Sequence, residues 1–264
     1  MGQTMTRLVT TVVRDHDDVR AFFDRSASTY EEQHGPAERL LRYRVHLLRE
    51  VARFGAKDTA LEIGCGDGMH LFALADSFAR GIGIDISEAM VGRANARANA
   101  LANVQASGDK VRFAASLGEE LATVDDGAVD VAYCVGALEH MLDQRAVARA
   151  AFRVLRPGGR FVGLTLNGDY LWYRRLAPLL GLPTRHLATD HFLTRDELVT
   201  LLREAGFTDI RIDSWTFIPR GDMPGWVAAL LSALDAVGRV FHMSRLRGGL
   251  RFAATRRSGL VVSG

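Results

Sequence analysis

Short apolar runs separated by amphipathic stretches constrain this chain more than any other feature. "TALEIG", "ARGIGIDI", "VRFAAS", "VDVAYCVG" and "GRFVGLTL" recur roughly every 20 to 30 residues, with apolar residues at helical spacing between them. Strands that alternate with helices pair in parallel, because each crossover helix carries the chain back over one face of the sheet. The expected fold is therefore α/β, with a doubly wound, mostly parallel sheet and helices on both faces. Ahead of the first run, "VRAFF" and "AERLLRYRVHLLREVARF" carry helical spacing between Asp18 and Phe54, and "HGP" separates them, which predicts two leading helices.

Local signals place the joints. Ser87 is a candidate N-cap for "EAMVGRANARANALA", and Thr194 with Glu197 forms a capping box for "ELVTLLREAG", which Gly206 closes. "LRPGG", Leu155 to Gly159, reads as a helix stop and turn before the fifth strand. Two segments break the alternation, Asn167 to His191 and Arg220 to Gly249, and read as insertions at the edge of the sheet. With 264 residues, 48% of them hydrophobic, the chain can bury a sizeable core, and one domain is expected. Its parts are a helical lid over 1–56, a core over 57–166, and acceptor-side insertions over 167–191 and 220–249.

Charge and cysteine content narrow the function. A formal charge of +2 from balanced acids and bases, with no block of like charge, gives no nucleic-acid footprint and points to a small-molecule partner. Only two cysteines, Cys65 and Cys134, and no signal-peptide pattern predict a reduced, cytoplasmic protein. No apolar run reaches the ~18 residues of a membrane span.

The stretch "LEIGCGDG", Leu61 to Gly68, follows the first strand, where α/β sheets bind nucleotides. Gly64 and Gly66 let backbone approach a ligand, and Asp85, at the end of the second strand, suits a ribose diol. The pyrophosphate spacing G-x-G-x-x-G fails, since Met69 stands where the third glycine would be, and Asp67 would repel a phosphate. A ribose-bearing ligand without phosphate fits better.

"LEIGCGDG", Asp85, "VDVAYCVGALEHMLD" and "AFRVLRPGGRFVGLTL", in this order, resemble the class I S-adenosylmethionine-dependent methyltransferases, the group that includes ubiquinone, menaquinone and natural-product methyltransferases. The resemblance covers Phe23 to Thr165, and "HFLTRDELVTLLREAGF" extends it. It implies a Rossmann-like seven-stranded sheet and S-adenosylmethionine as cofactor. By this likeness Glu62, Gly64, Cys65 and Gly66 line the methionine and ribose portions, Asp85 takes the ribose hydroxyls and Ile86 packs on adenine. Met90, Ser116, Leu117 and Val135 are implied around the same ligand, and "FFDRSASTYEEQ" puts Tyr30 near the active site. One departure stands out: "FAASLGEEL" places Leu117 where relatives carry an acid for the adenine amino group, which leaves backbone near Ser116, or Glu119 or Glu120 turned inward.

A sulfonium methyl is already electrophilic, so the protein's task is to hold a nucleophile in line with it in a dry pocket. For a hydroxyl acceptor a base near neutral pKa helps by roughly 10²- to 10⁴-fold. His140, after the fourth strand, is the candidate base or acceptor contact, with Glu139 beside it. Alternatively, Glu139 and His140 cap the following helix. His186, Asp190 and His191 offer no third metal ligand on a shared face, so they read as lid or pocket residues, with no metal. Tyr170, Trp172 and Tyr173 line an acceptor pocket or pack their insertion down. Trp226, Leu230, Leu231, Leu234 and Val237 read as a core-facing stripe, with membrane contact as the alternative, given Arg239, Arg245 and Arg247.

The function expected is methyl transfer to a hydrophobic small molecule, at oxygen and in secondary metabolism. A membrane-associated lipid or quinone C- or O-methyltransferase is the alternative. A dinucleotide oxidoreductase or a noncatalytic nucleoside-binding module is the alternative of another class.

Overall fold

Each apolar run becomes a strand, and two further strands close the sheet. The computed structural model describes residues 10–27, 37–102, 110–218 and 225–257. Its strands are β1 (Thr59–Ile63), β2 (Arg80–Asp85), β3 (Val111–Ala115), β4 (Val129–Val135), β5 (Leu155–Leu166), β6 (Phe207–Trp215) and β7 (Gly249–Arg256). They form a seven-stranded sheet in the order β3-β2-β1-β4-β5-β7-β6. β1 to β5 pair in parallel, and β7 runs antiparallel between β5 and β6. The order reverses between β1 and β4, which opens the crevice at their carboxyl ends where such sheets take ligands.

Helices α1 (His16–Ser26), α2 (Ala37–Ala52), α3 (Met69–Ala73), α4 (Glu88–Ala102), α5 (Gln144–Val154), α6 (Arg195–Glu204) and α7 (Gly225–Val240) cover the two faces and the rim. Strand alternation sorts the core into two layers. Leu61, Ile63, Ala132 and Cys134 pack with Val147, Ala151 and Val154 of α5 and with Leu198, Leu201 and Leu202 of α6. On the opposite face Ala60, Val131, Tyr133 and Val135 meet Leu47 and Leu48 of α2, Leu71 of α3 and Val91, Ala94 and Ala98 of α4. Because both faces are covered, the central strands read as continuous apolar runs.

The caps form where the sequence places them. Ser87 Oγ accepts from Met90 N, and Thr194 with Glu197 makes the reciprocal capping box of α6. "LRPGG" differs from expectation: β5 already begins at Leu155, and its register against β4 jumps from the Val129–Leu155 pair to Val131–Arg160. The proline–glycine stretch is thus an irregularity inside the strand and does not precede it, because Leu155 is already buried against the sheet.

The two insertions pack on each other, with Tyr170, Trp172 and Ala177 of the first against Val227 and Leu231 of α7. Here the expected stripe is corrected. Leu231 is buried and Leu234 partly so, but Trp226, Leu230 and Val237 face outward. The buried face of α7 is instead Val227, Leu231, Asp235 and Gly238, one turn apart each. Asp235 fastens the helix to the sheet by accepting from Thr216 Oγ1 and pairing with Arg247.

Candidate active site

The glycine turn sits at the reversal of strand order. Gly64 (φ 73°) and Gly66 (φ 53°) both adopt the left-handed conformation that side chains disfavour. Their reasons differ. A Cβ on Gly64 would collide with Cβ of Ala137, whereas one on Gly66 would stand in open space. Gly64 is therefore small because the loop after β4 presses on it, and Gly66 leaves its backbone open to a ligand. A pocket at the turn is lined by Gly64, Cys65, Gly66, Met69, His70 and Val135, with Leu40, Leu41 and Arg44 of α2 across from them.

Three carboxylates surround this turn. Glu62, fully buried on β1, meets His70 Nδ1 at 2.9 Å and accepts from the Tyr133 hydroxyl at 3.3 Å. Asp67 pairs with Arg97 at 3.3 Å. Asp85 accepts from the backbone N–H groups of Gly66 (2.8 Å) and Ser87 (2.9 Å), one at each oxygen, and burial raises its pKa above the ordinary carboxyl value. Each Asp85 oxygen keeps a lone pair for a ligand hydroxyl, in a fixed orientation. A negative setting of this kind repels phosphate and favours a cationic ligand, which is what a sulfonium bearing an ammonium group would present. Burial also pushes the Cys65 and Cys134 thiols up, so both stay protonated.

The remaining cofactor candidates are placed as follows. Ile86 is half-buried in a cluster with Val13, Val19, Phe22, Phe23, Leu142 and Leu187, so α1 packs over it. Met90 is buried on α4. Ser116 N donates to the Asp85 carbonyl, and Leu117 follows, half-buried. Glu119 does not turn toward an adenine as expected: its Oε1 meets His16 Nε2 and accepts from Leu142 N, which locks it to α1 and the β4 loop. Glu120 is exposed. Tyr30 lies outside the described residues.

Glu139 and His140 form a short turn after β4 and do not cap α5, whose N-cap is Asp143. Glu139 is buried and accepts from Thr165 Oγ1. His140 is a different case. Its Nδ1 lies 2.7 Å from Asp190 Oδ1, while Asp190 Oδ2 accepts from the backbone N–H groups of His186 and Leu187. An ionised carboxylate only accepts, so Nδ1 carries the proton and Nε2 presents its lone pair. Burial lowers the imidazole pKa, but the hydrogen bond and charge of Asp190 outweigh it and the net shift is upward.

The rings of Phe23 and His186 pack around His140, and the segment that carries Asp190 is fastened to the amino-terminal stretch. Thr11 pairs with Leu187 there through hydrogen bonds to His186 O and from Ala188 N. His186 and His191 go separate ways: His191 points to Glu197 and its N–H donates to Glu139 O. Tyr173 packs between Tyr170 and Phe192, and Tyr170 Oη is buried without a hydrogen-bond partner among the described residues. Sequence reading missed His70, Arg44 and the Asp190 partnership. His70 carried a signal, as it lies within the first turn after the glycines, while Asp190 reaches His140 across 50 residues and carried none.

Comparison with known proteins follows the same lines. A family model described as a methyltransferase domain matches residues 35–212. The chain is 31% identical over 183 residues to the ubiquinone biosynthesis O-methyltransferase of Bordetella avium, covering 67% of this chain and 73% of that one. The ubiquinone biosynthesis O-methyltransferase of Pseudomonas fluorescens is 30% identical over 196 residues, covering 72% and 81%. Among solved structures, the [4+2]-cyclase SpnF shares the fold with a TM-score of 0.65 at 20% identity, over 96% of this chain and all of that one.

Proposed function

The chain belongs to the class I S-adenosylmethionine-dependent methyltransferases, and from that membership we propose that it methylates a hydroxyl of an apolar small molecule, with His140 as the base. The family supplies the cofactor, S-adenosylmethionine, and the broad reaction, methyl transfer to a small molecule. The observation that carries the finer reading is the His140–Asp190 pair, which leaves Nε2 of His140, on the turn after β4, with its lone pair. A sulfonium methyl transfers to carbon, nitrogen or oxygen without help from a base at every acceptor, but a hydroxyl gains most from one.

The bound cofactor supplies a methyl group on a positive sulfur. We assign the following roles to this chain. Asp85 holds the ribose hydroxyls, Gly66 lets backbone approach them, and the carboxylates around the turn favour the positive charge. His140 Nε2 would take the proton of the acceptor hydroxyl as its oxygen receives the methyl group that the cofactor would supply. Asp190 holds the imidazole in that tautomer and stabilises the imidazolium that results. Phe23, with α1, and the 185–191 stretch keep water out. Tyr173 and Phe192, whose rings pack together, are the apolar walls we assign to the acceptor.

A second reading is a lipid or quinone acceptor carried in a membrane, favoured by the outward apolar face of α7 and by the quinone methyltransferases among the relatives. We place the enzyme in the cytoplasm on the strength of its two free, buried thiols.

The test is a transfer assay with methyl-labelled cofactor against hydrophobic phenols, acids, amines and prenylated quinols, with the product bond read by NMR. Label in a methyl ether, lost in His140→Ala with unchanged cofactor affinity, is the expected result. Label on carbon or nitrogen, or wild-type turnover in His140→Ala, overturns the assignment.

A further inference from the structure

Helix α7 is more apolar than its own packing uses. Val227, Leu231 and Gly238 face the first insertion and the sheet. A second set, Trp226, Leu230, Ala233, Val237 and Val240, recurs at three- and four-residue spacing along an adjacent face and points to solvent. Trp226 is 64% exposed and Phe241, just past the helix end, 68%. The first insertion adds Leu179, 83% exposed, and Leu180, on a segment whose other side chains pack against α7. Isolated exposed apolar residues are ordinary, but a contiguous stripe on two packed segments marks an interaction surface.

Charge chooses the occupant. Between residues 170 and 189 there is no carboxylate; Arg175 and Arg185 are exposed, and Arg174, also exposed, pairs with the neighbouring Asp169 at 3.1 Å. Along 225–247 the sole carboxylate is Asp235, which is buried and paired with Arg247, while Arg239 and Arg245 are exposed. Every exposed charge on the two segments is therefore basic. Outward apolar side chains flanked by exposed arginines match an anionic lipid surface, in which the apolar groups enter the acyl boundary and the arginines meet headgroup phosphates. A second copy of the same face would oppose like charges. Among the described residues no helix is long and apolar enough to cross a membrane, so the contact lies along the surface.

We propose that the face built from α7 and the Trp172–Leu180 segment docks the protein on an anionic lipid surface. Both segments leave the sheet at its carboxyl edge, where Leu166 of β5 pairs with Gly249 of β7, the same edge that carries the glycine turn and His140. Docking there turns the catalytic mouth toward the lipid and brings a membrane-dissolved acceptor within reach. The inference stands on the surface alone and holds whatever the acceptor proves to be.

The experiment uses the full chain with vesicles of phosphatidylglycerol and phosphatidylcholine in equal parts, and of phosphatidylcholine alone. Trp172 and Trp215 are buried, so the emission of Trp226 reports on this face. Expected is a blue shift and co-sedimentation on the anionic vesicles, weakened by salt, with little of either on neutral ones. Trp226→Ser combined with Phe241→Ser should abolish co-sedimentation with melting temperature and cofactor affinity retained. Arg239→Glu and Arg245→Glu should each weaken it about fivefold or more. Equal binding to both vesicles overturns the anionic specificity, and absence of vesicle binding by the folded protein overturns the docking. Concentration-dependent dimers that the serine variant dissolves, without vesicle binding, would reassign the face to a second copy.

Discussion

Replacing Asp190 with Asn tests the catalytic reading at a single atom. The substitution conserves shape: the Asn carbonyl oxygen can still accept from the His186 and Leu187 N–H groups that now bond Asp190 Oδ2. What changes is the partner of His140, which lies 2.7 Å away. An amide NH2 placed there donates, so Nδ1 must become the acceptor and the proton moves to Nε2, the nitrogen we assign as the base. A base in the wrong tautomer is worth no more than no base, so turnover should fall by roughly 10²- to 10⁴-fold, the whole contribution of general-base catalysis. Cofactor affinity should be unchanged, because the residues assigned to the cofactor are elsewhere.

The pH profile sharpens the test. Asp190 raises the His140 pKa in the folded protein, so wild-type activity should rise with pH through a value above that of free imidazole, as the neutral base appears. The same pair stabilises the fold while His140 is charged, an increment present at low pH and lost as pH rises through the raised pKa. In Asp190→Asn both effects should vanish. Turnover and thermal unfolding measured across pH 5 to 9, with ¹⁵N shifts of the imidazole to assign the tautomer, decide the matter. Wild-type turnover with the tautomer inverted would refute the reasoning, since Nε2 would then not be the base.

Other substitutions probe the cofactor end and the insertion. Asp85→Ala should weaken S-adenosylhomocysteine binding by about 1.5–3 kcal/mol, the usual worth of hydrogen bonds to a charged group, as read by calorimetry. Gly66→Ala should cost about 1–2 kcal/mol of stability for its left-handed backbone and reduce cofactor affinity more steeply than stability, because the new methyl occupies ligand space. Tyr170→Phe removes a buried hydroxyl that has no partner, so the melting temperature should hold or rise; a clear fall would show that the hydroxyl is bonded in solution.

Most of the sheet was legible because its signals are local. The central runs that became β1, β2 and β4 are mostly buried, so each is largely apolar, and the helix that follows "IDIS" begins at its Ser87 cap. The glycine turn was legible for a related reason, since its left-handed glycines, Gly64, Gly66 and Gly68, and Asp85 lie in one βαβ unit. The side of α7 that faces solvent was not, because Trp226 and Leu231 are equally apolar and only the position of the first insertion decides which is covered. Glu119 misled for the same cause: its partner His16 lies 103 residues away on α1. The Asp190–His140 pair combines two segments that no periodicity links.

β7 is the last of the described strands in chain order and yet is an interior strand of the sheet, between β5 and β6. On the ribosome β6 therefore emerges with no neighbour to pair with, and the exposed edge of β5 stays open until β7, which ends some ninety residues after it, has left the tunnel. At roughly 5–20 residues per second this lasts on the order of seconds, long compared with hairpin closure. During that interval the nascent chain presents an unsatisfied edge of Gly163, Leu164 and Thr165, an invitation to pairing with other chains that the arrival of Phe252 withdraws. A break in the chain ahead of Gly249 would thus cost two strands and would uncover the edge beside Glu139's anchor on Thr165, so the integrity of the tail and that of the catalytic turn are one property.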